Sequence, residues 1–256
     1  MGLQTSLDER FAGPITRFER EEARQIQLSL LPAGPLVRSS FEIAYRFSPF
    51  AGVGGDFADF FELPDGKVGL YVGDVVGKGL SAALYAALVM GLFRGLHKTG
   101  ETPADSLALL NKRMLVRPVT NRYAATLYGV FDPESRKLTF SNAGLPLPLR
   151  ISECGCIPLG GGGLPSGLMA GATYENHSVQ LGPGDAVLLA TDGLHELRDR
   201  EDQDFSWEKL NRIGDQCRDR SAEDTLGFLF EEARYFAEGG SQQNDDITAV
   251  VLKIRG

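Results

Sequence analysis

The sequence predicts an α+β fold in which antiparallel β-sheet is layered against pairs of helices. The prediction rests on pairs of strand-like stretches joined by turn sequences, on two regions where helices follow one another, and on a last strand near the end of the chain. Because hairpins are abundant, this fold is favoured over a doubly wound parallel sheet. With 256 residues, 43% of them hydrophobic, the chain can bury a full core, and we expect one domain.

The first predicted element is a helix at about residues 17–31. Apolar residues recur there near helical spacing between Glu and Arg residues, and Pro32 ends the pattern. We expect an irregular lead over residues 1–18 and a single domain over residues 19–256. The helix is either an amphipathic helix on the surface of that domain or a signalling helix that continues from an upstream sensor region.

Three strands and two helices follow. Residues 41–47 alternate between apolar and other residues, as a half-buried strand does. Residues 57–63 and 68–73 flank the turn sequence Pro64-Asp65-Gly66 and are therefore predicted to form a hairpin. The composition then predicts a buried helix over residues 80–96 and a second helix over about residues 104–115.

The second half of the chain again places strands before helices. Residues 123–131 and 137–142 flank a turn sequence, and residues 147–151 are predicted to be a third neighbouring strand. Four glycines at residues 160–163 predict irregular backbone. The remaining predicted elements are strands over residues 179–181 and 186–190, helices over residues 207–218 and 222–237, and a last strand over residues 247–254.

Charge and cysteine content exclude several classes of protein. The formal net charge of −8 argues against nucleic acid or an anionic membrane as the main partner. Three cysteines cannot form a disulfide framework, and no stretch approaches the roughly 18 uninterrupted apolar residues of a membrane span. Residues 1–20 carry charges and lack the apolar core of a signal peptide. We therefore expect a cytoplasmic protein that is neither exported nor membrane-spanning.

Four aspartates lie where predicted strands meet loops. They are Asp56, Asp74, Asp192 and Asp245, the last of which is followed by Asp246. Carboxylates at the ends of strands can converge on hard cations, which prefer oxygen ligands. Any one of these aspartates could instead be a turn residue whose side chain bonds to nearby backbone amides. Four such positions, beside glycine-rich segments, favour a metal site.

Short motifs that include these aspartates occur in a characteristic order. They are QLSLLP at residues 27–32, VGGDFAD at 53–59, GDVVGKG at 73–79 leading into SAA at 81–83, NAG at 142–144, TDGL at 191–194, and NDDIT at 244–248. Each motif is weak alone. In this order they resemble the PPM family of metal-dependent serine/threonine phosphatases, in its bacterial SpoIIE-like and RsbU-like branch, over nearly the whole chain.

The resemblance implies a four-layer αββα sandwich, two antiparallel sheets flanked by helix pairs, with two Mn²⁺ or Mg²⁺ ions at one sheet edge. Asp74 would bridge the two ions, and the Val75 carbonyl would bind one of them. Asp192 and Asp245 would hold the second ion, while Asp56 would act as a ligand or through metal-bound water. Metal-bound hydroxide would then attack the phosphorus of a phosphoserine or phosphothreonine directly.

The resemblance also implies partners and regulation. The substrate would be a phosphorylated anti-sigma-factor antagonist of the STAS-domain class in a partner-switching pathway, and the first helices would control activity. Lys78 and Leu145 stand where family members often carry histidine. Lys78 is either a solvated loop cation or a group near the phosphate. Because neither residue is a predicted metal ligand, the two departures concern leaving-group protonation or loop packing more than metal binding. Asp59 and Asp246 belong to the motifs without a settled role.

Two other functions remain open. A non-catalytic regulatory binding module could keep the same fold. A serine hydrolase is suggested by Ser81, which opens a predicted helix in a sequence one residue away from a nucleophile elbow, although His97, His177 and His195 lie in no partner motif for it. A nucleotide P-loop is excluded at residues 73–79. That motif needs four residues between its glycines and a Ser or Thr after its lysine. Here three residues separate Gly73 from Gly77, and Gly79 follows Lys78.

Overall fold

The computed structural model describes residues 15–96, 101–238 and 244–256. The helices of this part are α1 (Arg17–Leu30), α2 (Gly79–Arg94), α3 (Pro103–Met114), α4 (Trp207–Gln216) and α5 (Ala222–Glu238). The strands are β1 (Leu36–Val37), β2 (Phe41–Ser48), β3 (Phe57–Glu62), β4 (Val68–Val75), β5 (Ala124–Asp132), β6 (Lys137–Ala143), β7 (Leu149–Ser152), β8 (Gly155–Pro158), β9 (His177–Gln180), β10 (Ala186–Ala190) and β11 (Ile247–Ile254).

These strands form two antiparallel sheets. One sheet has the order β1-β2-β11-β10-β7-β8 and the other has the order β3-β4-β5-β6-β9. A hydrophobic core between them takes buried side chains from both sheets, such as Ile43 and Val250 from the first and Leu70 and Leu127 from the second. Each sheet therefore buries one face against the other, which is the arrangement of a β-sandwich.

Helices cover the outer face of each sheet. Buried side chains of α4 and α5, such as Leu210 and Leu226, pack with Val251 of the first sheet. Side chains of α2 and α3, such as Phe93 and Leu107, pack with the second sheet in the same way. The four layers confirm the predicted αββα sandwich. No helix in the described ranges combines the length and the apolar composition that a membrane span requires.

Helix α1 lies outside this sandwich, against α2. It begins at a capping box in which Thr16 and Glu19 satisfy each other's backbone amides. Its helical residues start at Arg17, so the last two residues of the predicted lead are helical; residues 1–14 of that lead lie outside the described residues. Leu31, directly after the helix, is buried in the core beneath α2 and α3.

The structure corrects the predicted neighbour of one strand. The strand at residues 147–151 was expected beside the hairpin of β5 and β6, but β7 pairs with β8 and β10 in the other sheet. Its Leu149 and Ile151 pack beneath α4 and α5. The apolar pattern of a strand shows that one face is buried but not which sheet it joins, so this assignment was wrong. Strand β8 was not predicted.

Candidate metal centre

The four predicted aspartates lie where the ends of the two sheets meet. Asp56 precedes β3, and Asp74 is the penultimate residue of β4 in the same sheet. Asp192 begins a short 3₁₀ turn after β10, and Asp245 lies just before β11 in the other sheet. Thr191 joins the sheets directly, because its Oγ1 donates a hydrogen bond to Asp56 Oδ2 at 2.8 Å. The same Oγ1 accepts a bond from the Thr248 amide.

Gly55 forms a narrow cradle beside Asp74 that a Cβ would fill. The Val75 amide donates a hydrogen bond to the Gly55 carbonyl at 3.3 Å, which places the two backbones side by side. A Cβ at Gly55 would lie 2.6 Å from the Val75 carbonyl oxygen and 3.2 Å from Asp74 Oδ1. Glycine therefore keeps free the space beside two oxygens that were predicted to be metal ligands.

The acidic side chains repel one another in this site. Burial raises the pKa of Asp74 to about 7, and the charges of Asp192, Asp245 and Asp246 add to the effect. Burial followed by the charge of Asp74 raises the pKa of Asp56 well above its usual value. Burial and the charge of Asp245 also raise the pKa of Asp192. Bound cations would relieve this repulsion, because carboxylates at close range can be charged together only when their charge is offset.

Asp246 organises a loop. Its Oδ1 accepts a hydrogen bond from the Phe50 amide at 2.8 Å, and its Oδ2 accepts one from the Gly55 amide at 2.7 Å. Gly54 passes so close to this carboxylate that a Cβ there would overlap it. Asp246 thus fixes residues 50–55, which lead to Asp56.

Asp59 is engaged elsewhere. Its Oδ2 accepts hydrogen bonds from Arg94 Nε at 2.9 Å and Nη2 at 2.7 Å, and one from the Tyr71 hydroxyl at 3.3 Å. Arg94 also donates to the Leu30 carbonyl at the end of α1. Through Arg94, the Asp59 carboxylate therefore connects α1 and α2 to β3.

The two departures from the family pattern have different surroundings. Lys78 Nζ lies 2.9 Å from Asp245 Oδ2 and also contacts the Asn244 carbonyl. Leu145 is only 6% exposed and belongs to the core between the sheets. The Asn142 side chain closes the turn before it by bonding both the amide and the carbonyl of Leu145. Leu145 is therefore a packing residue.

Two residues that the sequence analysis gave no role contact the loops of the site. The Gln27 side chain forms two hydrogen bonds with the backbone of Gly54. Arg122 donates to the Val76 carbonyl, and its Nη2 donates to Ser81 Oγ at 2.9 Å. Gln27 lies in the first motif, so its position carried a signal. For Arg122 the sequence offered none.

The hydrogen bond from Arg122 to Ser81 argues against the serine hydrolase alternative, which needs a general base beside the serine. An arginine cannot act as a general base at neutral pH, because its side chain stays protonated. His177, in turn, accepts a hydrogen bond from the Gly161 amide. His97 lies outside the described residues.

The donor set suits a hard divalent cation, since every predicted ligand atom is oxygen. Within the described ranges, no three His, Cys, Asp or Glu side chains are yet arranged to hold a metal ion. One of the predicted ligands, Asp245, is paired with Lys78. The oxygen ligands and the cradle at Gly55 thus suit a divalent cation in chemistry, while Asp245 is paired with Lys78.

Known proteins resemble this chain in sequence and in fold. A family model described as Stage II sporulation protein E (SpoIIE) matches residues 64–255. Protein IcfG of Synechocystis sp. is 28% identical over an alignment of 282 positions, which covers 98% of this chain and 44% of IcfG. Phosphoserine phosphatase RsbU of Bacillus subtilis is 23% identical over 237 residues, which cover 92% of this chain and 70% of RsbU. The chain thus spans less than half of IcfG.

A solved structure agrees with the fold. The SiaA-PP2C domain of Pseudomonas aeruginosa has a TM-score of 0.77 and 20% sequence identity, covering 92% of this chain and 95% of that domain. At this identity the similarity speaks for the fold alone. The family match spans three-quarters of the sequence and includes the motifs with Asp74, Asp192 and Asp245. The chain belongs to the SpoIIE family, in the SpoIIE-like and RsbU-like branch of PPM phosphatases.

Proposed function

We propose that the chain is a metal-dependent phosphatase for phosphoserine or phosphothreonine in a protein substrate. The observation that carries the proposal is the cradle at Gly55, which a Cβ would fill, beside the Val75 carbonyl and the Asp74 carboxylate and among further buried acids. A phosphoprotein phosphatase needs such a site because phosphoryl transfer is catalysed chiefly by positioning and by neutralising charge.

Each residue has a proposed task in this site. Asp74 and Val75 would hold one divalent cation, and Asp74, Asp192 and Asp245 would hold a second. When bound, Mn²⁺ or Mg²⁺ ions would make water more acidic near neutral pH and offset negative charge on the phosphoryl group. Asp56, which Thr191 holds in place, would bind a cation or orient a water molecule. No side chain of the chain needs to become covalently phosphorylated.

The proposed substrate class follows from the family. RsbU is named a phosphoserine phosphatase, which supports a phosphoserine protein as the substrate of this chain. We propose a phosphorylated anti-sigma-factor antagonist with a STAS domain, acting in the cytoplasm. We also propose that residues 19–256 form one catalytic domain, whose helix at about residues 17–31 passes on a signal from a sensor domain.

Hydrolysis of para-nitrophenyl phosphate across a Mn²⁺ titration tests the activity. We expect turnover that depends on Mn²⁺, stops with chelator and falls at least about 100-fold in D74N, since a carboxylate that would hold the cations is lost. Asp65→Asn is the matched control, because Asp65 lies in an exposed hairpin turn and pairs with Lys67. Turnover that is equal in D74N and D65N would contradict the proposed site.

The ion pair between Lys78 and Asp245 also favours a second candidate, a non-catalytic binding module. In such a protein the lysine would replace a cation permanently. A phosphorylated STAS-domain protein distinguishes the two functions. The module would bind this protein and leave the phosphate in place at every Mn²⁺ concentration, whereas the phosphatase would release inorganic phosphate.

A further inference from the structure

Lys78 reaches from one side of the site to the other. It is the N-cap residue of α2, and its backbone lies between two glycines with positive φ, Gly77 at 107° and Gly79 at 68°. Its side chain crosses to the segment before β11, where Nζ lies 2.9 Å from Asp245 Oδ2 and contacts the Asn244 carbonyl. The ammonium also stands 5.6 Å from the centre of the Phe50 ring.

The charges around this ammonium are those of the candidate metal centre. Besides Asp245, the carboxylates of Glu196 and Asp246 attract Lys78. The positive charge of Lys78 in turn offsets the negative charges of Asp192 and Glu196. A lysine ammonium thus stands among the acids that were predicted to hold the second cation.

We propose that Lys78 is a tethered competitor for the second divalent cation: its ammonium binds Asp245 in the metal-free protein and must leave when a metal ion binds Asp192 and Asp245. This inference rests on the proposed function, because it takes the same acids to be metal ligands. Lys78 is then a positioning residue that sets the metal affinity of the site.

The exchange is chemically feasible because the contact is partly open to solvent. The side chains of Lys78 and Asp245 are 48% and 26% exposed, so water screens their attraction. A divalent cation carries twice the charge and binds carboxylate oxygen directly. The released ammonium would stay close to the site, since its backbone is fixed at the start of α2. The competition therefore lowers metal affinity without preventing binding.

Isothermal titration of Mn²⁺ into metal-free wild type and Lys78→Met tests the proposal without measuring activity. We expect one of the two ions to bind K78M about 2- to 5-fold more tightly, as removal of a partly exposed ion pair would give. Lys78→Arg keeps the positive charge and should stay closer to wild type than K78M. Lys67→Met is the matched control, because it removes a Lys–Asp pair in an exposed hairpin, and it should bind as wild type does.

Equal or weaker binding by K78M, while the wild type binds Mn²⁺ and hydrolyses phosphate, would overturn the role of Lys78 and leave the proposed function standing. Absence of Mn²⁺ binding in both proteins would overturn the metal site and the competition together. If K78M does not fold, nuclear magnetic resonance of the wild type tests the proposal instead. Mg²⁺ should shift the side-chain signals of Lys78, and signals that stay unchanged at saturation would overturn the proposal.

Discussion

Gln27 and Gly54 are joined by two hydrogen bonds between one side chain and one residue's backbone. Gln27 Nε2 donates to the Gly54 carbonyl at 2.7 Å, and the Gly54 amide donates to Gln27 Oε1 at 3.1 Å. Gln27 is buried although it lies in α1, whose other polar residues are largely exposed. Gly54 precedes Gly55 and Asp56, so this contact links α1 to the loop that leads into the candidate metal centre.

We expect Gln27→Ala to weaken Mn²⁺ binding and to lower turnover by about 10-fold, because two buried hydrogen bonds to the loop are lost. Gln25→Ala is the matched control, since Gln25 is exposed and bonds only to Glu21 of its own helix among the contacts described. Titration calorimetry and phosphatase assays on both variants measure the effect. Equal values for Q27A and Q25A would show that α1 does not act on the site through this contact.

Deleting residues 1–31 tests the wider hypothesis that α1 regulates activity. The deletion removes Gln27 and also the Leu30 carbonyl that Arg94 contacts. We expect turnover and Mn²⁺ affinity both to change, because residues 50–55 lose their contact with α1. Unchanged values for both quantities would count against regulation through this helix. Circular dichroism would establish that the shortened chain is folded.

Ser81 separates the phosphatase from the serine hydrolase. Its hydroxyl accepts a hydrogen bond from Arg122, and no step of the proposed mechanism uses it as a nucleophile. We expect Ser81→Ala to keep phosphatase turnover within about 3-fold of wild type, as the loss of one exposed hydrogen bond allows. A fall below about 1% of wild type, with folding intact, would revive the hydrolase alternative.

The sequence predicted the acids of the site better than the contacts that hold them. Asp56, Asp74, Asp192 and Asp245 were recognisable because each lies at or near the end of a strand within a short motif. The partner of Lys78 was not predictable, because 166 residues separate it from the Asn244 carbonyl that it contacts. Such contacts depend on how the two sheets stack, and local sequence patterns do not encode that stacking.

The fold shows the same limit. Hairpins such as β3–β4 were predictable because their turn and their apolar pattern are local. The placement of β7 was not, since the chain passes from one sheet to the other between β6 and β7. Likewise, β9 and β10 flank the turn at residues 182–185 but belong to different sheets. A turn sequence indicates that the chain changes direction and not which strand it meets next.

Substitutions at Leu145 test whether this residue, which stands where family members often carry histidine, serves in packing. It lies in the core between the two sheets and is 6% exposed. We expect Leu145→Ala to lower the free energy of unfolding by about 2–5 kcal/mol, the range for leucine truncation in a core. Leu145→His should also destabilise the protein, because a buried imidazole requires hydrogen-bond partners. Chemical denaturation measures both effects, and an L145H protein as stable as wild type would contradict this assignment.

Asp74 makes the stability of the metal-free protein depend on pH. Its pKa is about 7 in the folded protein, against about 3.9 in an unfolded chain, because burial and the neighbouring carboxylates disfavour its charge. Between these values the folded state binds a proton that the unfolded state has released. Its contribution to stability is therefore fully present below about pH 4 and is lost as the pH rises through about 7.

Thermal unfolding in the presence of chelator measures this effect by comparing wild type with D74N. His195 opposes the trend in acid, because burial lowers its pKa, but both proteins share that residue. Relative to D74N, the wild type should lose melting temperature between about pH 5 and pH 8. Saturating Mn²⁺ should restore the wild type at the higher pH, since a cation offsets the charge of Asp74 and binds only the folded state. A difference in melting temperature that stays constant across this range would contradict the raised pKa of Asp74.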